Sequence, residues 1–277
     1  MEIGRYRPVF LDRVFAGDFK IESSERLGPE LATRIVRGGF PESVHRSNAA
    51  SRRSWVRDHL DVIIQRDVRD LARIQRPDVL PRLLELAAGQ TARLVNVSGT
   101  AGSLCIGCTT VREYLTLLSR LFLLEEIPAW HANRLKRLVK TPKLHLADTG
   151  LACSLLDLDA YELRRDRTLL GQLLETFVVQ EFRRQASGWE HAVRFSHYRV
   201  KDKVEVDVIL EHGPSRIVAI EVQSAASLGR ADRRGLERLR DVTGDCFRCG
   251  VLLYDGETLL PLGDRIYAVP LRMLWRD

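Results

Sequence analysis

No stretch of the 277 residues approaches the roughly 18 consecutive apolar residues of a membrane span. The N-terminal Met1-Glu-Ile-Gly-Arg-Tyr-Arg7 has no apolar signal region, so the expected location is cytoplasmic. No G-x-x-x-x-G-K-[ST] occurs anywhere, which excludes ATP binding by a phosphate-cradling loop of that type. Lysine is scarce beside arginine, and aromatic residues make up only 7% of the chain. What remains is 45% hydrophobic and 29% charged, the composition of a globular protein long enough for two domains. The net charge of +6 admits nucleic acid as a partner, but the many interspersed acidic residues mean that charge alone does not establish one. Five cysteines include two C-x-x-C pairs, Cys105/Cys108 and Cys246/Cys249. These resemble zinc half-sites, but they fall in different predicted domains, and buried structural thiols are the expected reading.

What is present is a strand pair with acids at its polar ends. Lys203-Val-Glu-Val-Asp-Val-Ile-Leu-Glu211 alternates, placing Val204, Val206 and Val208 on one face of a predicted strand and Glu205 and Asp207 on the other. His212-Gly-Pro-Ser215 is a turn. Arg216-Ile-Val-Ala-Ile-Glu-Val-Gln223 is a second, nearly continuous apolar strand, on which Glu221 and Gln223 share a face. A hairpin would bring Asp207 beside Glu221, where carboxylates are costly to bury unless paired or metal-bound. Upstream, Gly171 to Ala186 is a predicted helix with the stripe Leu174, Phe177, Val178 and Phe182, flanked by Glu175 and Glu181.

The arrangement Glu175 … Asp207-x13-Glu221-x-Gln223 resembles the PD-(D/E)xK nuclease core. The resemblance implies Asp207 and Glu221 as Mg²⁺ ligands with Glu175 assisting, the ion activating a water and neutralising charge on the scissile phosphate. Gln223 stands where that pattern has the lysine that orients the water, and it carries no charge. Two readings follow: a working metal site with the catalytic set Glu175, Asp207, Glu221 and Gln223, or a degenerate, structural remnant.

Along the chain, Phe10, Leu11, Val14 and Phe15 are the few apolar residues of a first stretch expected to offer little core. Leu31, Ile35 and Val36 predict a helix ended by Gly38-Gly39. Ser51 to Ile74 predicts a long helix capped by Ser51, with Asp58, Asp61, Asp67 and Asp70 alternating with Arg57, Arg66, Arg69 and Arg73 on a solvated face. Val79 to Ala88 is a short amphipathic helix, and Leu94 to Ala101 a short element followed by a glycine turn. Thr109 to Phe122 is a helix with the stripe Val111, Tyr114, Leu115, Leu118 and Phe122, capped by Thr109 or Thr110 and followed by an apolar strand into Pro128. That is the pattern of a winged helix-turn-helix, although its exposed face (Arg112, Glu113, Thr116, Arg120) is not strongly basic. The basic segment with Arg134, Lys136, Arg137 and Lys140, continued by Lys143, is the phosphate-contact candidate, joined by Arg199; the alternative is a solvated wing with packing arginines. Lys143 to Asp148 predicts a strand, with Asp148 or Thr149 capping the next helix. Residues 152–168 read as a polar connection. Leu228 to Val242 is a basic amphipathic helix, Cys249 to Tyr254 a buried strand, Asp255-Gly256 a hairpin turn and Ile266 to Val269 a closing strand, with Met273 and Trp275 packing a terminal helix.

Gly39-Phe-Pro-Glu42, Tyr114-Leu-x-x-Leu118, Thr141-Pro-Lys-Leu-His-Leu-Ala-Asp-Thr-Gly-Leu151, Gly171-x-Leu-Leu-Glu175, Arg199, Glu205-Val-Asp207 and Ile220-Glu-Val222 occur in the order that resembles the C-terminal half of the DUF4143 ATPases. In that family an AAA+-type P-loop domain precedes a winged-helix region and a nuclease-like domain. The resemblance implies a mixed α/β fold: residues 1–37 as the tail of the ATPase region, 38–160 as a helical winged-helix domain, and 165–277 as a restriction-endonuclease-like domain. It implies an interaction module, non-catalytic or weakly catalytic, that contacts DNA, an ATPase domain or another copy of itself. The alternative is a Mg²⁺-dependent DNA nuclease. ATPase activity is not expected.

Overall fold

The computed structural model describes residues 9–46, 48–67, 76–133, 137, 140–200 and 204–275. Its strands are β1 (Glu22–Ser23), β2 (Arg93–Leu94), β3 (Leu124–Ile127), β4 (Lys143–Leu146), β5 (Arg194–Arg199), β6 (Glu205–His212), β7 (Arg216–Gln223), β8 (Phe247–Tyr254), β9 (Thr258–Gly263) and β10 (Ile266–Pro270). The fold is mixed α/β, in two compact units. One takes residues 1–28, 128–140 and 178–277; the other takes 29–127 and 141–177. The units are therefore discontinuous in sequence. The 152–168 connection, read as a polar linker, instead forms part of the helix Thr149–Leu155, the helix Ala160–Arg165 with a capping box from Asp159 and Glu162, and the start of the helix Arg167–Ser187.

The first unit is built on a seven-stranded sheet in the order β1-β9-β10-β8-β7-β6-β5. β8 runs parallel to both β7 and β10, and the remaining pairs are antiparallel. β6 and β7 form the expected hairpin, from His212 opposite Arg216 to Val208 opposite Ile220. The expected strict alternation of β6 does not hold. Tyr198 pairs with Val206 and Ser196 with Ile209, so Asp207 and Val208 together face His197 across a β-bulge. The extra residue shifts the phase, and Val206 and Ile209 enter one core with Trp130, Tyr198, Leu236 and Leu239.

Leu236 and Leu239 come from the helix Arg234–Thr243, preceded by a 3-10 turn Arg230–Arg233, where one continuous helix was expected. Gly235 lets this helix settle on the sheet, because a Cβ there would collide with the Glu205 carbonyl oxygen. The expected hairpin at Asp255-Gly256 is also corrected, since β10 lies between β8 and β9. Asp255 does different work. Its carboxylate accepts the Leu27 and Gly28 N–H groups, each at 3.1 Å, and pairs with Arg26 at 2.9 Å.

That anchor shows how a first stretch expected to have little core of its own is nonetheless packed. The helix Val9–Ala16 buries Phe10, Leu11 and Val14, with the Phe10 ring 5.9 Å from that of Phe182 and 6.1 Å from that of Phe19. β1 extends the sheet edge beside β9. The apolar residues are too few for a core of their own, and their partners lie at the far end of the chain.

The second unit is mostly helical around a three-stranded antiparallel sheet, β2-β4-β3. The helix Pro29–Arg37 ends as expected at Gly38, whose φ of +68° suits glycine and whose Cα faces Gly150 and the Asp148 carboxylate too closely for a side chain. Asp148 accepts the Gly39 N–H at 2.6 Å and caps the helix Thr149–Leu155 through the Leu151 N–H at 2.9 Å. Thr149 donates its hydroxyl to the Ile35 carbonyl. Two motifs a hundred residues apart in the chain are thus one hydrogen-bonded joint.

Elsewhere the helix ends differ from expectation. Asn48, not Ser51, caps the helix Ala49–Val62, which continues as a π-helical turn Ile63–Asp67. Arg57, Asp58, Asp61 and Arg66 are exposed as a solvated face; Arg69, Asp70, Arg73 and the side chain of Asp67 lie outside the described residues. The stretch read as a glycine turn is the helix Val97–Leu104, capped by Asn96. The helix Cys108–Arg120 follows Gly107 with no side-chain cap, so neither Thr109 nor Thr110 serves. Leu117 joins its buried stripe, whereas Phe122, past the helix end at a φ of +56°, is 83% exposed.

Candidate functional site

The bulge places the first of the predicted acids. Asp207 sits one step beyond the last paired residues, Val208 and Ile220, in the register that continues to Glu221. It is 8% exposed, and its Oδ2 accepts the Val222 N–H at 3.1 Å. Glu221 and Gln223 are half-buried on β7, opposite Leu252 and Tyr254 of β8. The structure therefore brings Asp207, Glu221 and Gln223 to one end of the β6–β7 hairpin, where apolar strand gives way to polar side chains. A bulge beside an acidic residue is a device that re-aims a side chain, at the cost of a ladder interaction.

Glu175 belongs to the other unit. Its Oε1 accepts from Lys143 Nζ at 2.7 Å and lies 3.9 Å from His145 Nε2. Both ends of that ion pair are almost shielded from water, with side-chain exposures of 4% for Lys143 and 12% for Glu175. Beside it, His145 Nδ1 is 3.0 Å from the Thr176 hydroxyl, Thr176 is 2.8 Å from the Thr91 hydroxyl, and Thr91 accepts the Leu146 N–H. A buried ion is stabilised only by such pairing and by hydrogen bonds to its remaining sites. Every residue of β4 is buried, so Lys143 and His145 had to be matched from a neighbouring element, and Glu175-Thr176 is the match. The sequence signal for this was present: an alternating strand with charged residues on one side and no surface for them.

Lys143 is therefore corrected as a phosphate-contact residue, because it is buried in an ion pair. Arg137 is corrected likewise. It pairs with Glu211 at 2.6 Å, donates to the His131 carbonyl and lies 5.2 Å over the Trp130 ring, whose own Nε1 donates to Glu211. Arg199 is half-exposed beside Glu205 at 3.5 Å, and Lys140 is exposed. Arg134 and Lys136 lie outside the described residues.

The cysteines divide by exposure. Cys153 and Cys249 are buried and burial pushes their thiols up, whereas Cys105 and Cys108 are exposed, contrary to the expected buried role. Cys105 and Cys108 belong to the second unit, Cys246 and Cys249 to the first. Among the described residues no group of three or more His, Cys, Asp or Glu side chains is placed to hold a metal ion. Asp207 and Glu221 are a two-carboxylate set, and that is the donor chemistry of a Mg²⁺ ion that keeps several of its waters.

Residues 28–162 match the family described as "Domain of unknown function (DUF8612)", and residues 170–274 match "Domain of unknown function (DUF4143)". The chain is 26% identical over 246 residues, 88% of its length, to the uncharacterized protein Rv2008c of Mycobacterium tuberculosis and, to the same extent, to the uncharacterized protein Mb2031c of Mycobacterium bovis. The match covers 54% of each, so the chain spans about half the length of the curated relatives it matches. No solved structure matches it. The DUF4143 match takes in the C-terminal part of this chain, from within the helix that carries Glu175 through the bulged acidic hairpin to the last turn.

Proposed function

We propose that this chain is a nucleic-acid-binding module with a nuclease-like domain that has lost efficient hydrolysis. The observation that carries the reading is the acidic hairpin end: Asp207 faces Glu221, but Gln223 takes the third position. A glutamine amide can hold a water by hydrogen bonds, yet it cannot supply the positive charge that steadies a developing hydroxide or a phosphate in flight. Asp207 also gives one carboxylate oxygen to the Val222 N–H. Asp207 and Glu221 would hold a Mg²⁺ ion, whose chemistry there is to acidify a bound water and offset phosphate charge. The second unit supports binding. Helix Val79–Gly89, β2, the helices Val97–Leu104 and Cys108–Arg120 across a three-residue turn, then β3 and β4 follow the order of a winged helix-turn-helix.

A second reading, a Mg²⁺-dependent DNA nuclease, is favoured by the bulge that singles out Asp207 beside Glu221. Linear and single-stranded DNA with Mg²⁺ or Mn²⁺ separates the two. Binding without cleavage, unchanged by Asp207→Ala, is expected. Metal-dependent cleavage that Asp207→Ala abolishes would overturn the proposal in favour of the nuclease.

A further inference from the structure

Five arginines lie on the segment 230–240 of the first unit, and they fall into two groups. Arg233 pairs with Glu237 and donates to the Leu262 carbonyl; Arg240 pairs with Asp241 and donates to the Asp264 carbonyl. These two hold the helix to its surroundings. Arg230, Arg234 and Arg238 are exposed, and none of them pairs with a carboxylate among the described residues.

The position of the three adds to their number. Arg234 opens the helix Arg234–Thr243 and Arg238 stands one turn on, so the two side chains share a face; Arg230 opens the 3-10 turn leading in. Cations belong at the C-terminal end of a helix, where they complement its dipole. Arg230 and Arg234 sit at the opposite end, where side-chain charge and helix dipole add to one positive potential. Asp232, whose carboxylate accepts the Gly229 N–H, offsets it only in part, as one negative charge against the two arginines. The helix start is fixed beside the acidic hairpin: Gly235 abuts the Glu205 carbonyl, two residues before Asp207, and Arg199 pairs with Glu205 at the same end.

We infer that Arg230, Arg234 and Arg238 form the surface that grips the phosphodiester backbone of a nucleic acid running past Asp207 and Glu221. The inference rests on the nucleic-acid-binding reading above and names the contact surface within it. Guanidinium groups suit phosphate through paired N–H donors, and successive turns of helix space the charges about 6 Å apart, so neighbouring phosphates along a strand are engaged together. Contacts of this kind set affinity without reading sequence.

The test uses the full chain and a fluorescein-labelled DNA duplex and single strand, with binding followed by anisotropy between roughly 50 and 200 mM salt. The triple variant Arg230→Ala, Arg234→Ala, Arg238→Ala is compared with wild type and with the corresponding triple lysine variant. Loss of three phosphate contacts is expected to flatten the log–log salt slope for duplex by about 2–3, and to weaken binding at least about tenfold near 0.1 M salt. The lysine variant, which keeps the charges, is expected to retain most of the slope. A thermal melt checks folding, and a triple glutamine variant replaces the alanine one if the latter unfolds. An alanine variant with wild-type slope and affinity overturns the inference while leaving nucleic-acid binding in place. A wild-type chain that binds neither DNA overturns both.

Discussion

Glu175 and Asp207 enter the sequence as members of one acidic set, and the two units treat them in opposite ways. In the second unit Glu175 is matched by Lys143 from a strand buried on both faces, and the adjoining Thr176 continues the match through His145 and Thr91. Its charge is one half of a structural pair. In the first unit Asp207 stands in a β-bulge at a hairpin end, across from a second carboxylate, with a backbone N–H on one oxygen. The lesson is that a carboxylate's role is set by what is placed against it. A buried lysine makes it part of the framework; a second acid at a polar edge leaves its chemistry to the function proposed above.

That contrast can be broken experimentally, and the largest effect is expected at the structural pair. Lys143→Met removes the buried lysine that pairs with Glu175 at 2.7 Å, which is expected to cost about 3–5 kcal/mol in urea unfolding. A cost under about 1 kcal/mol would show the pair to be solvated and would dissolve the contrast. Asp207→Asn should change stability by no more than about 1 kcal/mol, because the amide oxygen still accepts the Val222 N–H. It should weaken divalent-ion binding measured by calorimetry, since a carboxylate pair is reduced to one. The smallest effect concerns the thiols, where alkylation at Cys105 and Cys108 is expected to proceed in the native chain with stability unchanged within about 0.5 kcal/mol. Cys153 and Cys249 should be modified only after unfolding, because burial disfavours the thiolate that reacts. Peptide mass spectrometry after a brief iodoacetamide pulse reads both outcomes.

The β6–β7 hairpin, the helix ended by Gly38, the Asp148 cap and the buried stripes of the helices Cys108–Arg120 and Arg167–Ser187 were legible because each follows from local periodicity, turn chemistry or capping. The bulge was not. One extra residue in β6 changes which side chains share a face, and it exists only because β5 pairs in a shifted register around His197. The exposed position of Phe122 likewise depends on where the helix stops, not on its spacing within the apolar pattern.

The amino-acid order by itself determined the strand and helix periods, the acids Asp207 and Glu221 on neighbouring strands, and the DUF4143 match of residues 170–274, since these depend on residue type and short spacing. Only the tertiary structure decided that Phe10 packs on Phe182, that β1 joins a sheet whose other strands begin at Arg194, that Asp255 ties down Leu27 and Gly28, and that Lys143 belongs to Glu175. Those choices pair residues far apart in the chain. Burial makes each polar group's partner compulsory, and nothing local in the sequence says which distant group will arrive to satisfy it.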